Sequence, residues 1–293
     1  MPLPRRINNK TEQRSLLPGP VQVIAVTGGK GGVGKTTVAI NLASAMSASG
    51  KRVLLLDGDL GLANVDVLLG LTPKNTLAQV IDGTCSLEEA VVEAESGFHV
   101  VPGASGIARL ANMSAQEHLH IVQAFSNLAR RLDVMIVDTA AGIAHSVIQF
   151  SQAAQSVLVV VCDEPASITD AYALIKVLSR QHGVRTFQVL SNQCSKPGDG
   201  LSLFKKLERV TNRFLDVVLE YAGEVPEDRQ LKRAIREQRP VIDAYPVSPA
   251  AQAFKKLALQ ADKWPVPEGP RGNLEFFVER LVRRPAVHLE VVR

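Results

Sequence analysis

Short apolar runs alternate with amphipathic stretches along most of the chain. Residues 21–26, 53–56, 99–101, 134–137, 157–161, 187–190 and 217–222 are dominated by Val, Ile, Leu and Phe. Runs of this length without polar alternation suit strands buried on both faces of a parallel sheet. Between them lie segments of helical period. One runs from Lys35 to Ser49 and stops at Gly50, a residue suited to the left-handed turn that ends helices. Two short helical turns are expected between 76 and 95, the second opened by a capping box, Ser86 with Glu89. A second box, Ser114 to Glu117, opens a helix whose Leu119, Val122, Phe125 and Leu128 share one face. Ser167 is placed to cap a helix carrying Ala171, Leu174, Ile175 and Leu178, and helices from about 229 and 248 close the pattern near Trp264.

This alternation predicts one α/β domain over 21–265, a mostly parallel twisted sheet with helices on both faces. Residues 1–20 mix Pro, Arg, Asn and Lys without period and read as a flexible leader. Residues 266–293 read as a linker and a C-terminal amphipathic helix. In it Asn273 caps a helix that runs to Arg284, and Leu274, Phe277, Val278 and Leu281 form an apolar stripe edged by Arg280, Arg283 and Arg284. That stripe fits an anionic lipid surface or the protein's own core, and the sequence leaves both open.

Composition changes this picture little. With 46% hydrophobic but only 4% aromatic residues, aliphatic side chains must fill the core. A net charge of +4 suits an acidic membrane surface or nucleic acid without choosing between them. Cys85, Cys162 and Cys194 are widely spaced, form no CxxC, and read as buried thiols in a reducing compartment. No apolar run is long enough to span a membrane and the first residues lack the apolar core of a secretory signal, so a cytoplasmic location is expected. His118 and His120, two apart on a helix, face different ways and do not make a metal pair.

The chemistry concentrates after the first run, at Gly28-Gly29-Lys30-Gly31-Gly32-Val33-Gly34-Lys35-Thr36-Thr37. Gly29, Gly34, Lys35 and Thr36 fill the fixed positions of a phosphate loop, and the flanks are strand and helix as such a loop requires. The glycines let backbone N–H groups converge on phosphate oxygens, helped by the helix N-terminus. Lys35 is expected at the β/γ-phosphates and the Thr36 hydroxyl on Mg²⁺. A flexible glycine turn is the competing reading. The second run delivers Asp57-Gly58-Asp59 at a strand's carboxyl end, where ligands of open α/β sheets bind. Capping of a following short helix is the plainer role for Asp59. Asp138 ends a central apolar run four residues before Gly142, an arrangement suited to holding Mg²⁺ through water beside a γ-phosphate. The Asn192 amide, just past the 187–190 run, can donate and accept and so could read an adenine edge or simply sit in a loop.

Lys30 has no evident structural partner among its glycines. The whole string resembles the deviant Walker A motif, KGGxGKT, of the MinD/ParA family of ATPases, and the likeness runs from about 21 to 283. It implies that Lys30 reaches across a dimer to the partner's phosphates, as an arginine finger would, with Gly29, Gly31, Gly32, Val33, Gly34 and Thr37 lining the loop. It further implies that residues 60–66 are a switch, that Asp59 orients the attacking water, and that Asp57 lies near the Mg²⁺ hydration shell. Glu164 would lie at the dimer contact near the partner's nucleotide, Asn192 would read adenine, and Pro226, Glu227 and Asp228 would form the adenine-side loop.

The strings Asp-Leu-Gly-Leu-Ala-Asn-Val-Asp, Asp-Thr-Ala-Ala-Gly-Ile and Glu-Phe-Phe-Val-Glu-Arg-Leu-Val look most like the flagellar-number (FlhG/FleN) branch, although most MinD-like chains have proline at Ala140. That branch implies an ATP- and Mg²⁺-dependent homodimer with slow hydrolysis, antagonism of a FleQ-type transcriptional activator and work with an FlhF-type GTPase. An N-terminal Asp-Gln-Ala-x-x-Leu-Arg motif, which serves that GTPase in some members, has no match in 1–20. Peripheral contact with the pole or inner membrane through 273–284 would follow, with no sequence-specific nucleic-acid binding. The alternatives are a division-site MinD-like or ParA-like positioning ATPase, an iron–sulfur carrier, for which correctly placed cysteines are missing, and an ATP-binding scaffold with little turnover.

Overall fold

In the computed structural model, described over residues 21–59, 63–103, 123–128 and 131–265, the apolar runs assemble into one eight-stranded sheet. The first half of the chain runs β1 (Gln22–Gly28), α1 (Lys35–Ala48), β2 (Val53–Gly58), α2 (Val65–Leu69), α3 (Leu77–Ile81), α4 (Leu87–Ala90), β3 (Val92–Glu93), β4 (His99–Val101) and α5 (123–128). The second runs β5 (Val134–Ala141), α6 (His145–Ala153), β6 (Ser156–Val161), α7 (Pro165–His182), β7 (Thr186–Cys194), α8 (Asp199–Phe214), β8 (Val218–Pro226), α9 (Arg229–Arg236), α10 (Val241–Ala244) and α11 (Pro249–Ala261). The spatial order is β3-β4-β2-β5-β1-β6-β7-β8. Every neighbouring pair is parallel except the short edge pair β3–β4.

Alternate residues of the central strands feed opposite layers. Ile24, Val26, Val53 and Leu55 pack with α1 and with Phe254 and Leu257 of α11. Val23, Ala25, Leu54 and Leu56 pack with Leu77 of α3 and Phe125 of α5. Val157, Val159 and Phe187 meet Leu174, Ile175 and Leu178 of α7 and Leu203 and Leu207 of α8. Because both faces are covered, β1, β2 and β6 are buried at every position, which is why their sequences show no alternation.

The predicted helix over Lys35–Ser49 is α1, and Gly50 beyond it takes a positive φ of 88°. The Ser86–Glu89 box forms at α4, and Thr76 with Gln79 makes another at α3. Four expectations change. The strands are longer than the apolar runs, so β7 extends to Cys194 and takes in Asn192, and β8 extends to Pro226 rather than ending at 222. Their ladder continues past the apolar residues through irregularities at Val189/Leu190 and Ser191/Cys194, since a buried backbone must stay paired whatever its side chains. Helix α6 was not signalled by the sequence reading. Ser167 lies inside α7, where its hydroxyl accepts the Cys162 N–H at 3.1 Å, and Glu164 takes the N-cap position. Cys85 is only half-buried, whereas Cys162 and Cys194 are buried as expected. The leader, residues 119–122 with His118 and His120, and the 273–284 helix lie outside the described residues. No helix among those described is long and apolar enough to cross a membrane.

Candidate functional site

The carboxyl ends of β1, β2 and β5 lie side by side at the middle of the sheet, with Asp57 in register with Asp138 and Gly28 with Ala141. Between β1 and α1 the loop turns on two left-handed glycines, Gly32 at φ 82° and Gly34 at φ 90°, the second being the N-cap of α1. A Cβ on Gly31 or Gly32 would meet nothing within 4 Å, so this side of the loop is open and leaves its backbone accessible to an anion such as phosphate. Gly29 serves another purpose. A Cβ there would lie 2.1 Å from the carbonyl carbon of Asp170, so the missing side chain is what lets α7 lie against the loop.

Beneath the loop sits a buried charge cluster. Lys35 is only 8% exposed, and burial lowers its pKa against the attraction of Asp138 and Asp59. Burial pushes the Asp138 carboxyl up to about 8, opposed first by a hydrogen bond from Thr36. Its Oδ1 is buried without a hydrogen-bond partner. An orphaned buried carboxylate oxygen beside a threonine hydroxyl fits Mg²⁺, which is held by few protein ligands and completes its shell with phosphate and water. Accordingly, no group of three or more His, Cys, Asp or Glu among the described residues is placed to hold a metal by itself. Gly142 ties the end of β5 to β1 by donating its N–H to the Gly28 carbonyl at 3.0 Å.

Asp57 is buried too, and burial raises its carboxyl to about 6. Both oxygens accept backbone N–H groups of the following turn, from Asp59 at 3.1 Å, Asn64 at 3.0 Å and Val65 at 3.1 Å. Its carboxylate therefore organises the backbone of the turn that follows β2, whereas Asp138 beside Thr36 keeps an oxygen without a partner. Asn64, not Asp59, is the N-cap of α2, so the capping reading of Asp59 does not hold.

At the rim the structure joins two residues 134 positions apart. The Lys30 ammonium donates to the Glu164 carboxylate, with the side chains 37% and 53% exposed. That hydrogen bond is the main reason the Lys30 pKa is raised. Asn192 is buried and donates its amide to the Val33 carbonyl at 2.8 Å. The adenine-side residues are partly committed to the fold. Pro226 ends β8 opposite Cys194, the Glu227 N–H donates to the Cys194 carbonyl at 2.9 Å, and Asp228 accepts from Gln230 N at 2.7 Å and Ala250 N at 3.0 Å. Two contributors carried no signal in the sequence, Gln193 and the Asp170 backbone.

The ParA family model, described as NUBPL iron-transfer P-loop NTPase, matches residues 20–261. The chain is similar to the antiactivator FleN of Pseudomonas aeruginosa, 58% identical over 267 residues that cover 91% of this chain and 95% of that one. It is similar to the flagellum site-determining protein YlxH of Helicobacter pylori, 32% identical over 269 residues, 90% and 91% of the two chains. The fold is similar to the septum site-determining protein MinD of Pyrococcus horikoshii complexed with Mg-ADP, with a TM-score of 0.66, 27% identity and coverage of 83% and 96%.

Proposed function

The chain belongs to the ParA/MinD family of P-loop NTPases, and on that premise we propose that it is an ATP-dependent dimerising switch ATPase that regulates flagellar number and placement. In this reading it acts as an antiactivator of a FleQ-type transcriptional activator and works with an FlhF-type GTPase. The 58% identity to an antiactivator along nearly the whole chain supports the regulatory role. The observation that carries the switch is the position of Lys30, exposed at the rim of its own loop and joined to Glu164. Exposed ion pairs are weak, so this ammonium can leave Glu164 for a stronger anion on a second subunit.

In this mechanism the Gly31–Gly34 peptides bind the phosphates and Lys35 offsets their charge from below. Thr36 and Asp138 hold Mg²⁺, which supplies charge stabilisation at the transferring phosphoryl group. Asp59 orients the attacking water, and the turn gathered by Asp57 brings it into place. Lys30 of each subunit neutralises the nucleotide of the other, so hydrolysis undoes the dimer. Asn192, Pro226 and Glu227 flank the base. A cytoplasmic protein with peripheral membrane contact through 273–284 completes the reading.

Sizing the protein with ADP and then with a slowly hydrolysed ATP analogue, for wild type and Lys30→Ala, tests the switch. Dimers only with the ATP analogue and only with Lys30 are expected; an ATP-bound monomer defeats it. ATP-dependent co-elution with a purified FleQ-type activator is expected, and its absence removes the flagellar role while leaving the ATPase.

A further inference from the structure

Gln193 is one of two described non-glycine residues with a left-handed backbone, at φ 58°. It stands at the end of β7, in the irregular stretch of the β7–β8 ladder between Ser191 and Cys194. A side-chain-bearing residue in this region is uncommon, and bulges beside functional sites often serve to re-aim side chains. Here the bulge sends two successive amides the same way. Asn192 Nδ2 donates to the Val33 carbonyl at 2.8 Å, and Gln193 Nε2 donates to the Gly32 carbonyl at 3.3 Å.

The peptide unit is planar and trans, so its C=O and N–H point in opposite directions. With the Gly32 carbonyl held by Gln193, the Val33 N–H of the same peptide points the opposite way, away from β7. Holding the Val33 carbonyl does the same for the Gly34 N–H. These are the groups a phosphate loop offers to an anion. Among the described residues the loop has little else to hold it on its open side, where even an added Cβ on Gly31 or Gly32 would meet nothing within 4 Å, and glycine peptides rotate easily. The support behind the loop is itself anchored. Glu224 accepts from Gly198 N and Gly200 N at 3.0 Å each, Ser191 Oγ donates to the Gly200 carbonyl at 2.8 Å, and Cys194 accepts from Glu227 N.

We propose that Gln193, acting beside Asn192, is a positioning residue for phosphate binding: the β7 bulge braces the Gly32 and Val33 carbonyls so that the loop's N–H groups face the nucleotide before it arrives. The left-handed backbone of Gln193 is then the conformation that delivers its amide. The inference rests on the nucleotide-site reading but is independent of dimerisation, and it needs no contact between Gln193 and the nucleotide.

The test uses the full chain with two substitutions. Gln193→Met keeps the length of the side chain without its donor. Gln193→Gly removes the side chain in a conformation glycine adopts freely, which guards against misfolding. The readouts are the dissociation constant for Mg-ADP and the amide proton resonance of Val33 in the nucleotide-free protein. Both variants should bind Mg-ADP about three- to ten-fold more weakly, the range of one neutral hydrogen bond. In both, the Val33 amide proton should move upfield as its peptide loses polarisation. Unchanged ADP affinity in both variants overturns the proposal, and so does weakened binding with the Val33 resonance in place. Wild-type protein that does not bind Mg-ADP would instead remove the nucleotide site on which the role depends.

Discussion

Two lysines five residues apart sit in opposite surroundings. Lys35, at the floor of the loop, is buried beside Asp138, and burial lowers its pKa. Lys30, at the rim, is exposed, and its bond to Glu164 raises its pKa. The floor is a buried arrangement with one orphaned carboxylate oxygen, which in the proposed function a phosphate and its metal would complete. The rim is a weak, solvent-screened pair that can be exchanged. The proposed switch needs both, a floor that holds the nucleotide in either state and a rim that changes partner with the state.

Lys35→Ala should have the largest effect, weakening Mg-ADP and Mg-ATP alike by about a hundredfold or more, since a buried charge-assisted contact is lost. Calorimetric titration that finds near wild-type affinity would break the comparison at the floor. Next, Gly29→Ala drives a methyl into the Asp170 backbone and should cost about 3 kcal/mol of stability, read from urea unfolding. Full stability would mean that α7 can leave the loop without penalty.

The third prediction concerns pH. Asp138 has a folded pKa of about 8 against an ordinary value of 3.8, so between these pH values the folded, nucleotide-free protein holds a proton that the unfolded chain has released. Stability therefore falls as pH rises through that window and levels off above about 8. Asp138→Asn should flatten the slope, and comparing unfolding midpoints at pH 5 and 8 checks the sign.

Lys30→Ala sharpens the other half of the comparison. ADP affinity should stay within about twofold of wild type, while ATP-dependent dimerisation should weaken at least about tenfold, since each subunit loses a charge-assisted contact to phosphate. Sedimentation with both nucleotides reads the two effects separately. The smallest effect is expected for Glu164→Gln. Releasing Lys30 from an exposed pair worth roughly 0–1 kcal/mol should tighten the ATP-bound dimer by no more than about fivefold per subunit. A weaker dimer in that variant would show that Glu164 acts across the interface rather than as a holder of Lys30.

Much of this was legible in one dimension. The apolar runs mark the strands because a doubly covered sheet buries every position, and the glycine–lysine–threonine spacing marks the phosphate loop because a backbone cradle needs those residue types in that order. Asp57 and Asp138 could be placed at strand ends for the same reason. Their division of labour could not. Asp57 turns to three backbone N–H groups of its own loop, and Asp138 keeps a buried oxygen without a partner, a difference set by the turn that follows each strand. Asp228 resembles an adenine-side residue, yet its carboxylate accepts from Gln230 N in α9 and from Ala250 N in α11, 22 residues further along the chain.

The chain by itself determined the fold class, the loop and its acidic neighbours, because these follow from local periodicity and from chemistry within a few residues. Only the tertiary structure decided that Lys30 meets Glu164, that Gly29 makes room for α7, and that Gln193 reaches the Gly32 carbonyl. Each of these joins residues well over a hundred positions apart, brought together by the parallel crossovers that set β6 beside β1, β7 beyond it and α7 against the loop.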